Sequence, residues 1–254
     1  MLICKLKLYL MKYLITLSLF IFSHAILLAQ DTTTVKTISS ISSVKLDTNR
    51  VVYDESGNAL RYYQYNKLIY SGAYSINYNG NPALPTTKAF LKKISPERQV
   101  ARDEMIKKIF KINNTIIAEG KTLDLAPITA FYDKKKLENK PVVLIFWYAG
   151  CPPCIDDFGA ITAFLQQTDH SQNLSVIAVT PDVKSVAETK LKEKPLAYAT
   201  LISSARSIAD AYQIKTFPAY IVTDKNHVIK YAMGGSSPIT IPELKNAIKN
   251  VLQQ

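Results

Sequence analysis

Residues 141–154, PVVLIFWYAGCPPC, are the stretch from which the fold of this chain can be predicted. The apolar run 142–147 follows a proline and is rich in Val, Ile and aromatic residues, which is typical of a strand buried on both faces. The apolar residues that follow recur at helical spacing and are Ile155, Phe158, Ile161 and Leu165. This periodicity predicts an amphipathic helix that begins at or just after Cys151.

A cysteine at the start of a helix has a chemical consequence. The helix dipole and the unpaired N–H groups of the first turn favour a thiolate over a thiol. Pro152 and Pro153 suit that first turn, because their missing N–H groups would have had no partner there. Cys151 is therefore predicted to be the nucleophile, nearest the solvent. Cys154, one helical turn further in, is predicted to be the more buried resolving thiol.

This arrangement resembles the thioredoxin superfamily, and specifically its exported thiol–disulfide oxidoreductases of the ResA/TlpA type. Their motif has the form apolar-Phe-Trp-x-x-x-Cys-x-Pro-Cys, which residues 143–147 match together with Cys151, Pro153 and Cys154. Residues 212–222, YQIKTFPAYIV, are similar to the segment around the cis-proline of the family. A turn, a strand, a Gly-Gly pair and a closing helix follow in the family's order, and the resemblance begins near residue 116.

The resemblance implies an α/β, thioredoxin-like fold in which helices flank a central mixed sheet. It implies that the Cys151–Cys154 dithiol is the redox group, with no other cofactor and no metal, and that it exchanges with disulfide-containing protein substrates. Pro218 would form the cis peptide bond and hold the substrate backbone, Phe217 would shape the docking groove, and Trp147 would pack beneath the site. Reduction, fed by a membrane electron donor, is the implied direction.

Three positions depart from the pattern of these families. Many thioredoxins bury an acid six residues before the first cysteine, where Ile145 stands here. The ResA/TlpA type carries Glu three residues after the second cysteine, and Asp157 occupies that place. Asp157 is predicted either to manage protons for Cys154 or only to complement the dipole in the first turn of the helix. Gly150 replaces a frequent aromatic residue, which predicts a more open first thiol.

The composition excludes some classes of protein. With 254 residues and 48% hydrophobic residues, the chain can build a packed core and is not predicted to be disordered. The formal charge of +11 is interpreted as a solubilising basic surface. Nucleic acid is not an expected partner, because no Arg-rich or aromatic-interleaved patch occurs. An acidic partner or a membrane surface stays open as an alternative.

The N-terminal segment predicts export. Residues 1–30 are predicted to be a signal peptide, because lysines precede the apolar run 13–22 and small residues suited to cleavage follow it. An uncleaved anchor over residues 13–28 is the alternative, and it would retain the protein on the outer face of the membrane. Either way the rest of the chain is expected in the periplasm, and cleavage would remove Cys4, the first of the three cysteines.

The exported part is predicted to contain two units. Residues 31–117 would form a small N-terminal unit whose role the sequence does not indicate, and residues 118–254 the thioredoxin-like domain. In the first unit, the Tyr-rich stretches 60–65 and 73–78 are predicted strands of an antiparallel meander. A helix is predicted from Ser95-Pro96 to about residue 113. Its predicted inner face consists of Val100, Ile106, Ile109 and Phe110. In the second unit, residues 121–125 are predicted to form a strand, and residues 240–243 a capping box.

Two other functions remain open at this point. A peroxiredoxin-like peroxide reductase would resemble Pro-x-x-x-Thr-x-x-Cys at its site, and no such motif precedes Cys151. A metal-delivery or metal-binding protein on the same fold would resemble Cys-x-x-x-Cys with a distant His, whereas the spacing here is Cys-x-x-Cys. Zinc would need two ligands besides the cysteines, and His170 and His227 are the histidines that follow them.

Overall fold

The structure is a computed structural model, and it describes residues 49–168 and 173–253. The predicted signal peptide, its cleavage site, the alternative anchor and the Ser/Thr-rich leader lie outside the described residues, as do Cys4 and His170. From Val51 onward the chain forms one compact unit. None of the helices in the described ranges is both long enough and apolar enough to cross a membrane.

The first part of the described chain is a small sheet covered by a helix. Its elements are β1 (Val52–Tyr53), β2 (Ala59–Leu60), α1 (Tyr62–Tyr70), β3 (Tyr74–Tyr78) and β4 (Ala89–Lys93). The strand order is β2-β1-β4-β3, with β1 parallel to β4 and the other two pairs antiparallel. The small core of this sheet consists of Val52, Tyr65, Ala89 and Leu91.

This sheet is not the antiparallel meander that the sequence predicted. The stretch 60–65 was predicted to be a strand, but most of it lies in α1, where Tyr65 is buried and Leu68 and Ile69 pack beside it. Tyr65, Leu68 and Ile69 are three and four residues apart, which is the spacing of a helix face. The alternating tyrosines before them favoured the prediction of a strand. The parallel pairing of β1 with β4 also departs from a meander, while β3 lies within the predicted stretch 73–78.

Helix α2 (Pro96–Phe110) begins where the sequence predicted, with the Ser95 hydroxyl accepting a hydrogen bond from the Arg98 N–H group at 3.4 Å. Two of the four residues predicted for its inner face are exposed. The side chains of Val100 and Ile109 are 63% and 66% exposed. Ile106 and Phe110 do point inward, and they pack against the core of the second sheet.

The second sheet follows with its helices. Its elements are α3 (Ala126–Thr129), β5 (Val142–Phe146), α4 (Pro152–Gln166), β6 (Ser175–Val179), α5 (Lys184–Glu193), β7 (Thr200–Ile202), α6 (Arg206–Ala211), β8 (Ala219–Thr223), β9 (Ile229–Gly234) and α7 (Thr240–Leu252). The strand order is β7-β6-β5-β8-β9. Strands β5, β6 and β7 run parallel, and β8 and β9 are antiparallel to their neighbours. The predicted α/β fold, a central mixed sheet flanked by helices, is confirmed.

Strand β5 is buried on both faces, as its continuous apolar run predicted. Val143 and Ile145 contribute to the core that also contains Cys151, Cys154 and residues of α4 and α7. Val142, Leu144 and Phe146 contribute to the core on the opposite face of the sheet. The strand that leads into the cysteine motif is thus fixed from both sides.

Two smaller predictions in this part are wrong. Residues 121–125 form no strand and contribute only an isolated bridge between Thr122 and Val228. The capping box is absent, because Ile239 occupies the N-cap of α7 and makes no side-chain hydrogen bond. The Thr240 hydroxyl instead accepts a hydrogen bond from the Ser237 N–H group at 3.0 Å.

Candidate active site

The turn between β5 and α4 is held by the end of the neighbouring strand. The Trp147 N–H group donates to the Val179 carbonyl at 3.0 Å. Beyond β6, the Asp182 carboxylate accepts hydrogen bonds from the Ala149 N–H group at 2.6 Å and from the Thr180 hydroxyl at 3.1 Å. A charged acceptor on a backbone N–H group makes a strong hydrogen bond. The residues before Cys151 therefore have a fixed path.

Cys151 is the N-cap of α4 and forms a disulfide with Cys154, their Cα atoms lying 5.3 Å apart. The Cys154 N–H group donates to the Cys151 Sγ at 3.3 Å. The predicted helix start is confirmed, and Pro152 and Pro153 occupy its first turn as exposed residues. An N–H group of the first helical turn thus points at the first sulfur, the geometry that favours a thiolate.

The burial of the two cysteines agrees only partly with the sequence-based expectation. Cys154 is 0% exposed and Cys151 is 2% exposed, so the second cysteine is the more buried one, as predicted. The expectation that Gly150 leaves the first thiol open is wrong. Gly150 itself is exposed, but both sulfurs of the disulfide belong to an apolar cluster against which Ala149, Ile155 and Phe217 pack.

The second predicted motif lies beside the first. The Phe217–Pro218 peptide bond is cis, in agreement with the resemblance. Strand β8 begins directly after Pro218, with Ala219 paired opposite Phe146. Pro218 thus lies at the end of the sheet from which the dithiol turn leaves. The ring of Phe217 contacts the ring of Tyr148 edge-to-face at a centroid distance of 5.6 Å.

Asp157 lies beyond the first turn of α4, which has no acidic residue, so the dipole interpretation of this carboxylate loses its geometric basis. Its Oδ2 accepts a hydrogen bond from the Tyr220 hydroxyl at 2.7 Å. Burial raises the pKa of the Asp157 carboxyl from its ordinary 3.8 to about 6. The hydrogen bond from Tyr220 acts in the opposite direction, and the charge of Asp156 adds to the increase in this pKa.

Tyr220 is a site residue that sequence reasoning missed. It is fully buried on β8, and in the sheet it pairs with Ile145, the position at which many thioredoxins carry their acid. Burial and the charge of Asp157 raise the pKa of the Tyr220 hydroxyl well above its ordinary value of 10, so this group stays a hydrogen-bond donor. Its partner lies 63 positions away in the chain. The register of β8 against β5 and the packing of α4 on the same face of the sheet bring the two together.

Trp147 and His227 were also singled out in the sequence, and both make defined contacts in the structure. Trp147 is fully buried and contacts Phe158 edge-to-face at a centroid distance of 5.1 Å, which agrees with its expected place beneath the site. The ring of His227 bonds through Nε2 to the Leu137 carbonyl at 3.0 Å. Within residues 49–168 and 173–253, no three His, Cys, Asp or Glu side chains come together as possible metal ligands.

Comparisons with known proteins found one family model and several similar proteins. Residues 122–232 match the model of the AhpC/TSA family. The thiol-disulfide oxidoreductase ResA of Halalkalibacterium halodurans is 24% identical over 133 residues, which span 52% of this chain and 70% of that protein. Residues 122–232 contain the dithiol turn and the cis-proline. The predicted resemblance to thiol–disulfide oxidoreductases of the ResA type is confirmed.

Two solved structures illustrate the similarity. The thioredoxin domain of a thiol-disulfide oxidoreductase from Bacteroides vulgatus has a TM-score of 0.42 and 18% identity, over 53% of this chain and 97% of that one. StoA from Bacillus subtilis has a TM-score of 0.36 and 19% identity, over 44% of this chain and 84% of that one.

Proposed function

We propose that this protein is a thiol–disulfide oxidoreductase whose redox group is the Cys151–Cys154 dithiol. The observation that carries the proposal is the N-cap position of Cys151, with the Cys154 N–H group donating to its sulfur, at the end of the sheet where the cis-proline also lies. The similarity to a thiol-disulfide oxidoreductase supports it. The pair itself holds the two electrons that the reaction transfers, so the proposed reaction requires no other cofactor.

The reaction proceeds by two displacements at sulfur. The Cys151 thiolate attacks a substrate disulfide, which forms a Cys151–substrate disulfide and releases the other substrate sulfur as a thiolate. Cys154, as a thiolate, then attacks the Cys151 sulfur and releases the second substrate thiolate. The substrate gains two electrons, and the protein ends as the disulfide that the structure contains. A dithiol donor, which the resemblance suggests is membrane-bound, reduces the pair again.

Disulfide-containing proteins are the proposed substrates. Phe217 is half-buried and Tyr148 is exposed, so together they offer an aromatic surface next to the dithiol turn. An extended substrate segment would lie along this surface with its backbone at Pro218, as the resemblance implies. Apolar side chains beside the substrate cysteine would then bury against the two rings.

Asp157 is proposed to take the proton of Cys154 during the second displacement. Cys154 is fully buried and must lose its proton before it can attack. Asp157 lies three residues further along α4, a spacing that places side chains on neighbouring parts of one helix face. A carboxyl with a pKa of about 6 is largely ionised at neutral pH and still accepts protons readily.

The reduction potential of the Cys151–Cys154 pair tests the proposed direction. A reductase should equilibrate near thioredoxin, at about −270 mV, and should reduce the disulfides of insulin with a dithiol donor. The Cys154→Ser variant is the control that should not turn over. A potential near about −120 mV would make the protein an oxidant instead. Consumption of hydrogen peroxide without any disulfide exchange would replace the proposed function by that of a peroxide reductase.

Export to the periplasm is proposed because residues 1–30 have the sequence pattern of a signal peptide. When the full chain is expressed in a bacterium with two membranes, we expect it in the periplasmic fraction with an N-terminus created by cleavage near residue 25 or residue 30. The intact mass of the purified protein measures this cleavage. An uncleaved chain in the membrane fraction would favour the anchor, and a cytoplasmic chain with both cysteines reduced would contradict export.

A further inference from the structure

The C-terminal end of α2 packs against the residue that holds Pro218. A Cβ atom built on Gly235 would lie 2.7 Å from two ring atoms of Phe110, the last residue of α2. Gly235 has a φ of +95°, so this position needs glycine both for its backbone and for the room that the ring occupies. The Gly235 N–H group donates to the Pro218 carbonyl at 2.6 Å. One residue therefore joins the Phe110 ring to the cis-proline.

The chain after α2 is fastened to the strand that leads to Gly235. Lys111 forms an antiparallel bridge with Met233 of β9. The Ile112 N–H group donates to the Ala232 carbonyl at 2.9 Å. These backbone contacts flank the Phe110 ring, so the ring cannot leave Gly235 without disturbing them.

Two further contacts hold α2 in this place. Ile106, one turn before Phe110, packs against the core that contains the cysteines. The Lys107 Nζ lies 3.3 Å from the Glu243 Oε1 of α7, a half-exposed ion pair. The ion pair contributes little by itself, but the apolar contacts and the backbone bonds fix the helix end together. The last turn of α2 is therefore part of the surroundings of the cis-proline.

We propose that Phe110 is a positioning residue for the substrate-binding loop, through which the N-terminal helix α2 sets the affinity for protein disulfides. This inference rests on the proposed function, because Pro218 contacts substrate only if the dithiol exchanges with proteins. Phe110 acts through Gly235 and not on the reacting sulfurs. Gly235 has no side chain, so without the Phe110 ring little restrains its backbone. Its N–H group, the hydrogen-bond donor to the Pro218 carbonyl, is then no longer held in a fixed position.

The expected consequence concerns binding more than chemistry. A loosened loop must be ordered when an extended substrate docks on it, and this ordering reduces affinity. A small dithiol such as dithiothreitol attacks the disulfide without docking along the loop. Truncation of Phe110 should therefore weaken the reaction with protein disulfides and spare the reaction with small thiols.

The test uses the full exported chain with Phe110→Ala, and Ile109→Ala as the matched control, because the Ile109 side chain is exposed and adjacent in sequence. Insulin reduction gives kcat and KM, and the fluorescence of Trp147, the single tryptophan, follows reduction of the disulfide by dithiothreitol. We expect the KM of Phe110→Ala to rise about three- to ten-fold. Its kcat and its dithiothreitol rate should stay within about two-fold of the parent, and Ile109→Ala should match the parent.

The conservative variant Phe110→Leu should recover most of the affinity, because Leu fills part of the space against Gly235. If Phe110→Ala does not fold, Phe110→Leu carries the test with a smaller rise in KM at an unchanged dithiothreitol rate. An unchanged KM overturns the inference. An equal loss toward insulin and dithiothreitol also overturns it, because that result means general loosening. A parent protein that cannot reduce insulin overturns the proposed function instead, whatever the variants do.

Discussion

Replacement of Cys154 by Ser should leave the protein joined to its substrate by a disulfide at Cys151. Attack by the Cys151 thiolate needs only the helix N-terminus and an accessible substrate sulfur, and both remain in this variant. The second displacement needs the thiol that has been removed, so the mixed disulfide accumulates. Turnover should fall at least about 10²-fold. Non-reducing electrophoresis and intact mass measure the trapped species.

The matched variant is Cys151→Ser, which keeps one thiol in the same motif. The remaining thiol of Cys154 lies inside the helix and not at its N-cap, the position that favours a thiolate at Cys151. It should therefore trap far less substrate than Cys151 does in the Cys154→Ser variant. Equal or greater trapping on Cys154 would reverse the two assigned roles. A failure of both variants to trap any substrate would contradict the dithiol mechanism as a whole.

Asp157→Asn should slow the decay of a preformed Cys151 mixed disulfide by about 10²-fold, with a smaller effect on its formation. The amide has nearly the same shape as the carboxyl but cannot accept the proton of Cys154. The pKa of Asp157 is about 6, so in the parent the proton acceptor is lost as the pH falls through 6. Decay in the parent should therefore slow below that pH, and this dependence should be absent in Asp157→Asn. Stopped-flow fluorescence from about pH 5 to about pH 9 measures both profiles.

Three further variants separate proton transfer from general electrostatics. Asp156→Asn removes the exposed neighbouring carboxylate and should leave the decay at neutral pH near that of the parent. Its acidic limb should move to lower pH, because the charge of Asp156 raises the Asp157 pKa. Tyr220→Phe removes the hydrogen bond that lowers the Asp157 pKa, so the acidic limb of the profile should move to higher pH. Tyr231→Phe, which loses a buried hydroxyl bonded to the Thr240 carbonyl, should not move it. If the decay of the mixed disulfide has the same pH profile in Asp157→Asn as in Asp156→Asn, Asp157 has no role in proton transfer.

The dithiol turn could be predicted from the sequence because its signals are local. The apolar run of β5, the proline pair and the helical spacing after Cys154 all lie within one short stretch, and the structure follows them closely. The bond between Tyr220 and Asp157 could not be predicted in this way. It depends on the register of β8 against β5 and on the packing of α4 against that face of the sheet, which no short stretch of sequence contains.

The N-terminal sheet was predicted less well for a different reason. Strands β1 and β2 contain two residues each, too few for a period to be recognised. Tyrosine is common in strands, so the prediction followed this propensity and not the helical spacing of the residues that form α1. In α2 the exposed Val100 and Ile109 carry the same apolar signal as the inward Ile106 and Phe110. Only the position of β9 decides which side of that helix is covered.

The backbone contacts along β9 have a consequence for the protein's resistance to aggregation. Lys111 and Ile112 pair with one end of this outer strand, and residues 120–123 pair with its other end and the adjoining turn through bonds of 2.8 Å from the N–H groups of Gly120, Ile229 and Leu123. An uncovered outer strand is a template for aggregation with any extended polypeptide. On this side of the sheet the protein's own chain occupies the template. If the protein exchanges disulfides as proposed, an extended substrate segment would meet the sheet at its Pro218 end, next to the dithiol, because the outer strand is already paired.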